Sequence, residues 1–532
     1  MPQLNQDAAP LLDCLKQAKA QDLAPFHMPG HRHAEAYPEP LPQLLLSLDT
    51  TEYEDTDNLN DPGPALSQAQ ELAADLWEAG ACFFLSGGSS QGIKAAVLAC
   101  QGRGDRLALP RLSHVAACYA ATLAGLTPLW LPAEDEAPRG SDAWLYPLPQ
   151  PDLQQAEAIL QKHAGQIRAL LLTSPDYYGN CLAFSRLASL CHQLNLPLIV
   201  DQAHGAYFCR SAQPLVRAQD ALKQGADVVI YSAHKTLAAL TPAALLMVSR
   251  QAVSSGLLSL PRLRLALSLI GTTSPSLLTA ATLDYARRDL ALTGPGRSEA
   301  VLRQAEVLQQ GLPPQLRLSP LKPRTACGRV RDPQRLLLSL QPGLRLPAAD
   351  AAPSSGCWLY RFLSQQGVKA EMHDIRRVVL LPSLYQKPAD WQVLAAALTK
   401  AGQALAAAQP ETASGAGTRL NTGPAPAPDA ASDSDDRGER LLRQLYTLEP
   451  QTVYPPSCAL SRQPRAWLPL ADCSGRITAQ ALLPYPPGIP LVWPGERLQP
   501  ALIRGLSALA AWGVIPEGMP ADPDAWRIPV LD

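Results

Sequence analysis

Six short runs of continuously apolar sequence constrain this chain more than any other feature. They are ACFFL (81–85), RLALP (106–110), RALLLTSP (168–175), LPLIVD (196–201), ADVVIYS (226–232) and ALLMV (244–248). A strand with one face in water alternates apolar and polar residues. A continuous run means burial on both faces, as in a parallel sheet covered by helices. Helical stretches lie between the runs. LSQAQELAADLWEA (66–79) carries apolar residues at helical spacing, SGGSSQG (86–92) opens a helix that runs on as IKAAVLAC, and an Ala-rich helix follows RLALP. The alternation specifies an α/β open sheet through about residue 250.

The flanks read differently. Residues 7–20 form a short helix, and a loop rich in Pro and His follows it, PFHMPGHRH. Residues 257–310 are mainly helical, and 329–400 make a smaller α/β unit with strands near RLLLSL and RVVLLP. The stretch 409–437 has almost no large apolar residue and cannot bury enough surface to offset chain entropy, so it reads as a disordered linker. Aromatic and apolar sequence resumes near 440 and ends in a helix, LIRGLSALAAWG. The expected organisation is an N-terminal arm (1–65), a large domain (66–310), a small α/β domain (311–408), the linker (409–437) and a C-terminal α+β domain (438–532).

Charge and cysteine usage exclude several classes. With 45 Lys+Arg against 47 Asp+Glu there is no basic excess for a nucleic-acid partner. No apolar run reaches the ~18 residues needed to span a bilayer, and the N-terminus has no basic start followed by an apolar core. The 11 cysteines are scattered, with no CxxC pair. That points to a reducing cytoplasm, and away from a disulfide framework or a zinc ribbon.

Four elements carry chemistry. Ser232-Ala233-His234-Lys235-Thr236 follows the strand VVIY, and a Lys at the C-terminal end of a parallel strand lies where such sheets gather ligands. Its amine can condense with an aldehyde, and burial would favour that by lowering its pKa; the plain alternative is a surface lysine. Asp201, in DQAHG at the end of LPLIV, lies 34 residues before Lys235. It could hold a protonated pyridine nitrogen, or cap a helix. Gly87-Gly88-Ser89-Ser90 at a strand-to-helix junction suits a phosphate, through backbone N–H groups, hydroxyls and the helix dipole. His114, in RLSHVA, could stack on a cofactor ring.

The order of phosphate turn, stacking His, Asp and Lys resembles the aspartate-aminotransferase fold of pyridoxal-phosphate enzymes (fold type I). Within it, the chain is similar to the ornithine/lysine/arginine decarboxylase family. Further matching stretches are HMPGHRH (27–33), DTTEYEDTDNLNDPGPA (49–65), TSPDYYG (173–179), TTSPSLLTAATLD (272–284) and PYPPGIPLVWPGE (484–496). The resemblance covers nearly all of the chain outside the linker. It implies an α/β fold with a mainly parallel central sheet, and decarboxylation of a basic amino acid in polyamine biosynthesis. Arginine is placed before lysine and lysine before ornithine.

By that resemblance, Lys235 bonds to the cofactor aldehyde and Asp201 keeps the ring nitrogen protonated. His114 stacks on the ring. Ser89 and Ser90 hold the phosphate, with Ser232 and His234 near it. His204 lies near the ring or the departing carboxylate. Ser274, in Thr273-Ser274-Pro275, reaches the phosphate of a neighbouring subunit, which implies a homodimer or higher homo-oligomer. Glu496 folds over the substrate entrance and pairs with the distal cation of the substrate, with Asp176 and Glu52 as the next candidates. No metal is implied, and Asp49, Glu52 and Asp57 read as solvated acids. His27 and His31 either approach the site or satisfy a turn.

The chain departs from the family pattern at Gly87-Gly88 (usually Asn-Gly), Gln202 (Glu), Asp176 (Thr) and around His114 (Ser113-His114-Val115-Ala116 for Cys-His-Lys-Ser). These departures leave the Lys, the Asp and the His in place. Two alternatives stay open. One is transamination or side-chain elimination on the same fold, which the lack of an Arg in these motifs disfavours. The other is a weakly catalytic regulatory paralogue, which retention of both Lys235 and Asp201 disfavours.

Overall fold

The computed structural model describes residues 9–53, 55–100, 104–134, 142–324, 329–347, 352–409, 431–485 and 488–532. A short strand, β1 (Ala24–Phe26), precedes the seven strands of the main sheet. These are β2 (Ala81–Leu85), β3 (Arg106–Pro110), β4 (Thr127–Leu131), β5 (Ile167–Thr173), β6 (Leu198–Asp201), β7 (Val228–Tyr231) and β8 (Ala244–Val248). Their spatial order is β2-β8-β7-β6-β5-β3-β4. Six strands run in one direction, and β8 is antiparallel to both of its neighbours.

Both faces of the sheet are covered, which is why its strands read as continuous apolar runs. Successive residues enter opposite cores: Leu170, Leu172, Leu198 and Val200 join one cluster, and Ala169, Leu171, Ile199 and Ile230 the other. Each fully buried Leu or Ile contributes about 1.5–3 kcal/mol, so the doubly buried strands anchor the molecule. Burial on both faces does not encode direction. All six runs read alike, yet β8 returns antiparallel after a 12-residue connection that holds no crossover helix longer than Ala233–Thr236. The edge strand β4 carries the short apolar run Leu129-Trp130-Leu131 behind Pro128, a residue that an edge position tolerates because one side of the strand makes no ladder bonds.

The helical stretch resolves into Leu260–Ile270 and a 34-residue helix, Leu277–Gln310, that continues through Pro295. A second sheet follows, built from β9 (Leu316–Leu318), β10 (Leu336–Leu340), β12 (Met372–His373) and β13 (Arg377–Leu380) in the antiparallel order β12-β13-β10-β9. Strand β11 (Val368–Ala370) lies between β10 and β12 in the chain and pairs in parallel with β1, tying the N-terminal segment to this unit. The C-terminal segment holds the pairs β14 (Ala466–Pro469) with β17 (Arg527–Val530) and β15 (Pro484–Tyr485) with β16 (Ile515–Pro516). Leu442, Leu445, Leu482 and Leu506 of this segment share one core with Tyr178, Leu337 and Met372.

The stretch read as a linker falls largely, at 410–430, outside the described residues. Its end comes earlier than composition indicated, because 431–437 belong to the helix Ala431–Thr447. Asp435 there is buried and accepts the backbone N–H of Ser355 at 3.1 Å, a partner far away in sequence. No helix among the described residues is long and apolar enough to cross a membrane.

Candidate active site

The chemistry-bearing residues converge on one edge of the main sheet. The register places Thr173 beside Asp201 and Asp201 beside Ile230, so the C-terminal ends of β5, β6 and β7 lie side by side. Lys235 sits on the turn after β7, Ser89 on the helix that follows β2, and His114 just beyond β3. A parallel sheet gathers these loops at its C-terminal edge, where open α/β sheets take their ligands. They line a cavity of about 370 Å³ together with Asp176, Tyr177 and Glu517.

Lys235 is the centre of the arrangement. Its Nζ lies 3.0 Å from His204 Nε2. Burial lowers its pKa to about 8, Asp201 opposes the shift and Arg335 adds to it. His204 is held well below its usual pKa by burial and by the Lys235 charge, so it is neutral, and its Nδ1 is buried without a partner. Tyr177 meets the His204 ring edge-on at 4.9 Å, and its hydroxyl donates to Glu371 Oε1 at 2.5 Å. Glu371 also accepts the Met28 N–H at 3.0 Å. The N-terminal arm and the small unit thereby brace one wall.

Asp201 is 5% exposed, and its Oδ1 accepts the Ala203 N–H at 3.1 Å. The ring of His114 is open to the cavity. Burial in the cleft lowers its pKa, Asp201 raises it and Lys235 lowers it further. Its Nδ1 accepts the Ala116 N–H at 3.1 Å, capping the next helix. Gly88 opens the helix Gly88–Ala99 at φ +73°, a conformation that side chains with a Cβ rarely adopt. That turn leaves the free N–H groups of the helix start beside Ser89, which lines the cavity; Ser90 is in the same first turn but off the wall. Ser232 is fully buried and its hydroxyl has no partner, like those of Thr173 and Thr236. His234 is turned to the Ala243 carbonyl at 2.8 Å, and burial lowers its pKa to about 4.

These groups fit an aromatic aldehyde that carries a phosphate. Lys235 supplies a desolvated amine, Asp201 an anion for a ring nitrogen and His114 a ring face. The helix start with Ser89 suits the phosphate. The orphaned buried hydroxyls supply the further donors such a group requires, since unpaired buried polar atoms are costly.

Of the expected site residues, Ser90, Ser232, His234, Glu496 and Ser274 do not line this cavity, and the last two have other surroundings. Glu496 is buried elsewhere: Arg111 grips it with two bonds, of 2.8 and 2.7 Å, and it accepts the Trp493 N–H at 2.9 Å. Both its oxygens are engaged, so it cannot take a substrate cation, and its family motif reaches the cavity through Gly488 and Ile489 instead. Glu496→Gln is expected to cost on the order of 1.5–3 kcal/mol of stability by leaving Arg111 buried without an anion. Urea unfolding should show the loss while substrate affinity stays normal; an affinity loss at full stability would restore Glu496 to the substrate. Ser274 lies exposed on the surface of this chain, bonded locally to Thr272.

The fallback acids differ. Asp176 lines the cavity, but it accepts four bonds, from Tyr178, Asn180 (two) and Gln150, and burial raises its pKa. Glu52 is half-buried and accepts a bond from the Thr51 hydroxyl at 2.6 Å, and it does not line the cavity. Asp57 accepts the N–H groups of Asn58, Gly63 and Leu66, at the start of the helix Pro64–Leu76. The imidazoles of His27 and His31 bond to their own loop. That loop still matters: a Cβ at Gly30 would lie 2.7 Å from the Leu237 carbonyl oxygen, so only glycine lets it pack on the Lys235 turn. Gln202 bonds to Gln219 and Ala221, clear of the cavity, which explains why its departure from the family pattern leaves the site intact.

Sequence reasoning missed Glu371, Arg335 and Glu517. Arg335 comes from the small unit, close enough to Lys235 to affect its pKa, and its Nη1 is buried without a partner. The lack of a nearby Arg therefore no longer argues against other chemistries on this fold. Glu517 follows β16 and lines the cavity, where its charge acts to raise the pKa of His114; among the described residues its carboxylate makes no hydrogen bond or ion pair.

Comparison with known proteins agrees with this geometry. The model of the Orn/Lys/Arg decarboxylase major domain matches residues 9–318, and that of the Orn/Lys/Arg decarboxylase C-terminal domain matches 439–516. An arginine decarboxylase of Bacillus subtilis is 27% identical over 512 residues, 93% of this chain and 92% of the relative. The uncharacterised protein YaaO of the same organism is 27% identical over 505 residues, 94% of each. The solved structure of the constitutive lysine decarboxylase of E. coli superposes with a TM-score of 0.69 at 19% identity, covering 95% of this chain and 79% of that one.

Proposed function

The chain belongs to the Orn/Lys/Arg decarboxylase family, and from that premise we propose that it uses pyridoxal phosphate to remove CO2 from arginine, ahead of lysine and ornithine, in a route to polyamines. The observation that carries this reading is the desolvated Lys235 amine, 3.0 Å from a neutral His204 and within the field of Asp201. When bound, pyridoxal phosphate supplies an electron sink for the pair left by the departing carboxylate.

The chain's own residues do the rest. Lys235 presents a partly neutral amine to the aldehyde. Asp201 holds the proton on the ring nitrogen. The helix start at Gly88, with Ser89, takes the phosphate, and Ser232 and Thr236 offer the nearby hydroxyls. His114 presents its ring to the cavity. His204 and Lys235, being within hydrogen-bond distance of each other, can exchange the proton that returns to Cα.

We assign the distal cation of the substrate to Glu517, a cavity-lining carboxylate with no hydrogen bond or ion pair among the described residues. A guanidinium can meet it with two parallel bonds, which favours arginine over an ammonium. Glu517→Gln should raise KM for arginine by one to two decades with kcat nearly unchanged, as a charge-assisted bond of about 1.5–3 kcal/mol implies. An unaltered KM would remove Glu517 from substrate recognition. The function itself is tested by offering arginine, lysine and ornithine and scoring CO2 and the amine. A keto acid in place of CO2 would favour transamination, the reading that Arg335 beside Lys235 supports.

The exposed position of Ser274 is consistent with a homodimer in which it reaches the neighbour's phosphate site; a fully active monomer by sedimentation would exclude that. A cytoplasmic location is proposed from the cysteines, which are unpaired among the described residues.

A further inference from the structure

A second cleft, of about 360 Å³, lies where three parts of the chain meet. The turn at 143–147 forms one wall, β9 and the turn before β13 form another, and the helix Ala431–Thr447 closes it. Four guanidinium groups line it, those of Arg317, Arg376, Arg440 and Arg443, against two carboxylates, Asp436 and Glu439. The excess is notable in a chain of net charge -2.

Both carboxylates are already matched. Arg376 pairs with Asp436 and lies 3.5 Å from Glu439, and Glu439 is also bound by Arg377. Arg317, Arg440 and Arg443 have no carboxylate in ion-pair contact among the described residues. Arg440 and Arg443 are three residues apart, so they share a helix face. Arg443 gives one Nη to the Tyr146 carbonyl at 3.2 Å, and its Nη2 is buried without a partner. Arg317 lies over the Trp144 ring at 4.6 Å, with Nε and Nη2 buried and unpartnered. Burial and the charges of Arg376 and Arg377 lower its pKa to about 10.

Packing alone does not account for this. A Leu or Met would cover Trp144 without burying orphaned donors, each of which carries a desolvation cost. Guanidinium forks are shaped for oxygen anions, whether phosphate or carboxylate. We propose that this cleft binds a small oxyanion bearing at least two negative charges, held by Arg317, Arg440 and Arg443. Such a ligand would bridge the C-terminal helix to the small unit.

The test is isothermal titration of the full chain with inorganic pyrophosphate and, separately, with citrate. Ionic strength is held constant, and the protein is first saturated with pyridoxal phosphate and then freed of the excess, so that the phosphate cradle at Ser89 is filled and no free phosphate competes for the cleft. Saturable binding of one anion per chain is expected, weakened at least tenfold by Arg317→Gln and by Arg440→Gln. Tighter binding of pyrophosphate would identify a phosphate site, and tighter binding of citrate a carboxylate site. No saturable binding of either anion would overturn the proposal, as would equal affinity in the wild type and the Arg440→Gln protein. Arg440 is exposed, so its variant folds and decides the matter even if Arg317→Gln does not.

Discussion

Lys235→Ala is expected to abolish CO2 release while the protein keeps its fold. Among the described residues that line the cavity, Lys235 carries the only amine, the group that captures an aldehyde. Its environment is tuned for that task. With a pKa of about 8, about a tenth of such amines are neutral at pH 7, against roughly one in three thousand at the ordinary lysine value. Neutral amine is the nucleophile, so capture of pyridoxal phosphate by the cofactor-free protein should speed up as pH rises toward 8 and level off above it. The fold should tolerate the change, because the variant removes a buried cation rather than creating one, and circular dichroism checks this. Borohydride reduction followed by peptide mass analysis reads the attachment site directly. If cofactor remains fixed to the Lys235→Ala protein, another lysine is the attachment point and the assignment of this cavity fails.

How much of this was legible in the sequence follows from the range of each interaction. Residues 198–201 and 228–231 announced themselves because both faces of their strands are buried, and a local pattern records burial. The same pattern is silent on direction, so β8 read like the six strands that run the other way. Strand β4 was passed over although Leu129-Trp130-Leu131 is apolar, because Pro128 interrupts a ladder except at a sheet edge. Lys235, Asp201 and His204 were readable because each ends such a strand or follows it within a few residues, and the sheet edge then gathers them. Glu496 was misplaced because its partner, Arg111, lies 385 positions away and leaves no local trace. Glu371, Arg335 and Glu517 were missed for the same reason: the small unit brings Glu371 to Tyr177 and Arg335 near Lys235, and the C-terminal segment brings Glu517 to the cavity wall. The early end of the linker depended likewise on a long-range contact, Asp435 with Ser355.

Asp201→Ala should lower kcat by about 10²-fold or more, the loss typical of removing an electrostatic partner that acts as charge develops. Asp201 is nearly enclosed, at 5% exposure, where a charge is screened far less than on the surface. It also shares its neighbourhood with Lys235 and His114, whose protonation it favours. An anion so placed favours a protonated ring nitrogen, and the variant forfeits that at the moment electrons arrive. Cofactor affinity should fall less, because Lys235 and the helix start at Gly88 remain. The competing role is structural, since Asp201 accepts the Ala203 N–H at 3.1 Å. A purely structural Asp201 would show a loss on the order of 1 kcal/mol in unfolding and an intact kcat. Asp201→Asn separates the two, because the amide oxygen keeps the Ala203 bond and gives up the charge. Its kcat should fall nearly as far as that of the alanine variant, with stability close to wild type. A wild-type kcat in Asp201→Asn would reduce Asp201 to a turn residue and overturn its assignment as the partner of the ring nitrogen.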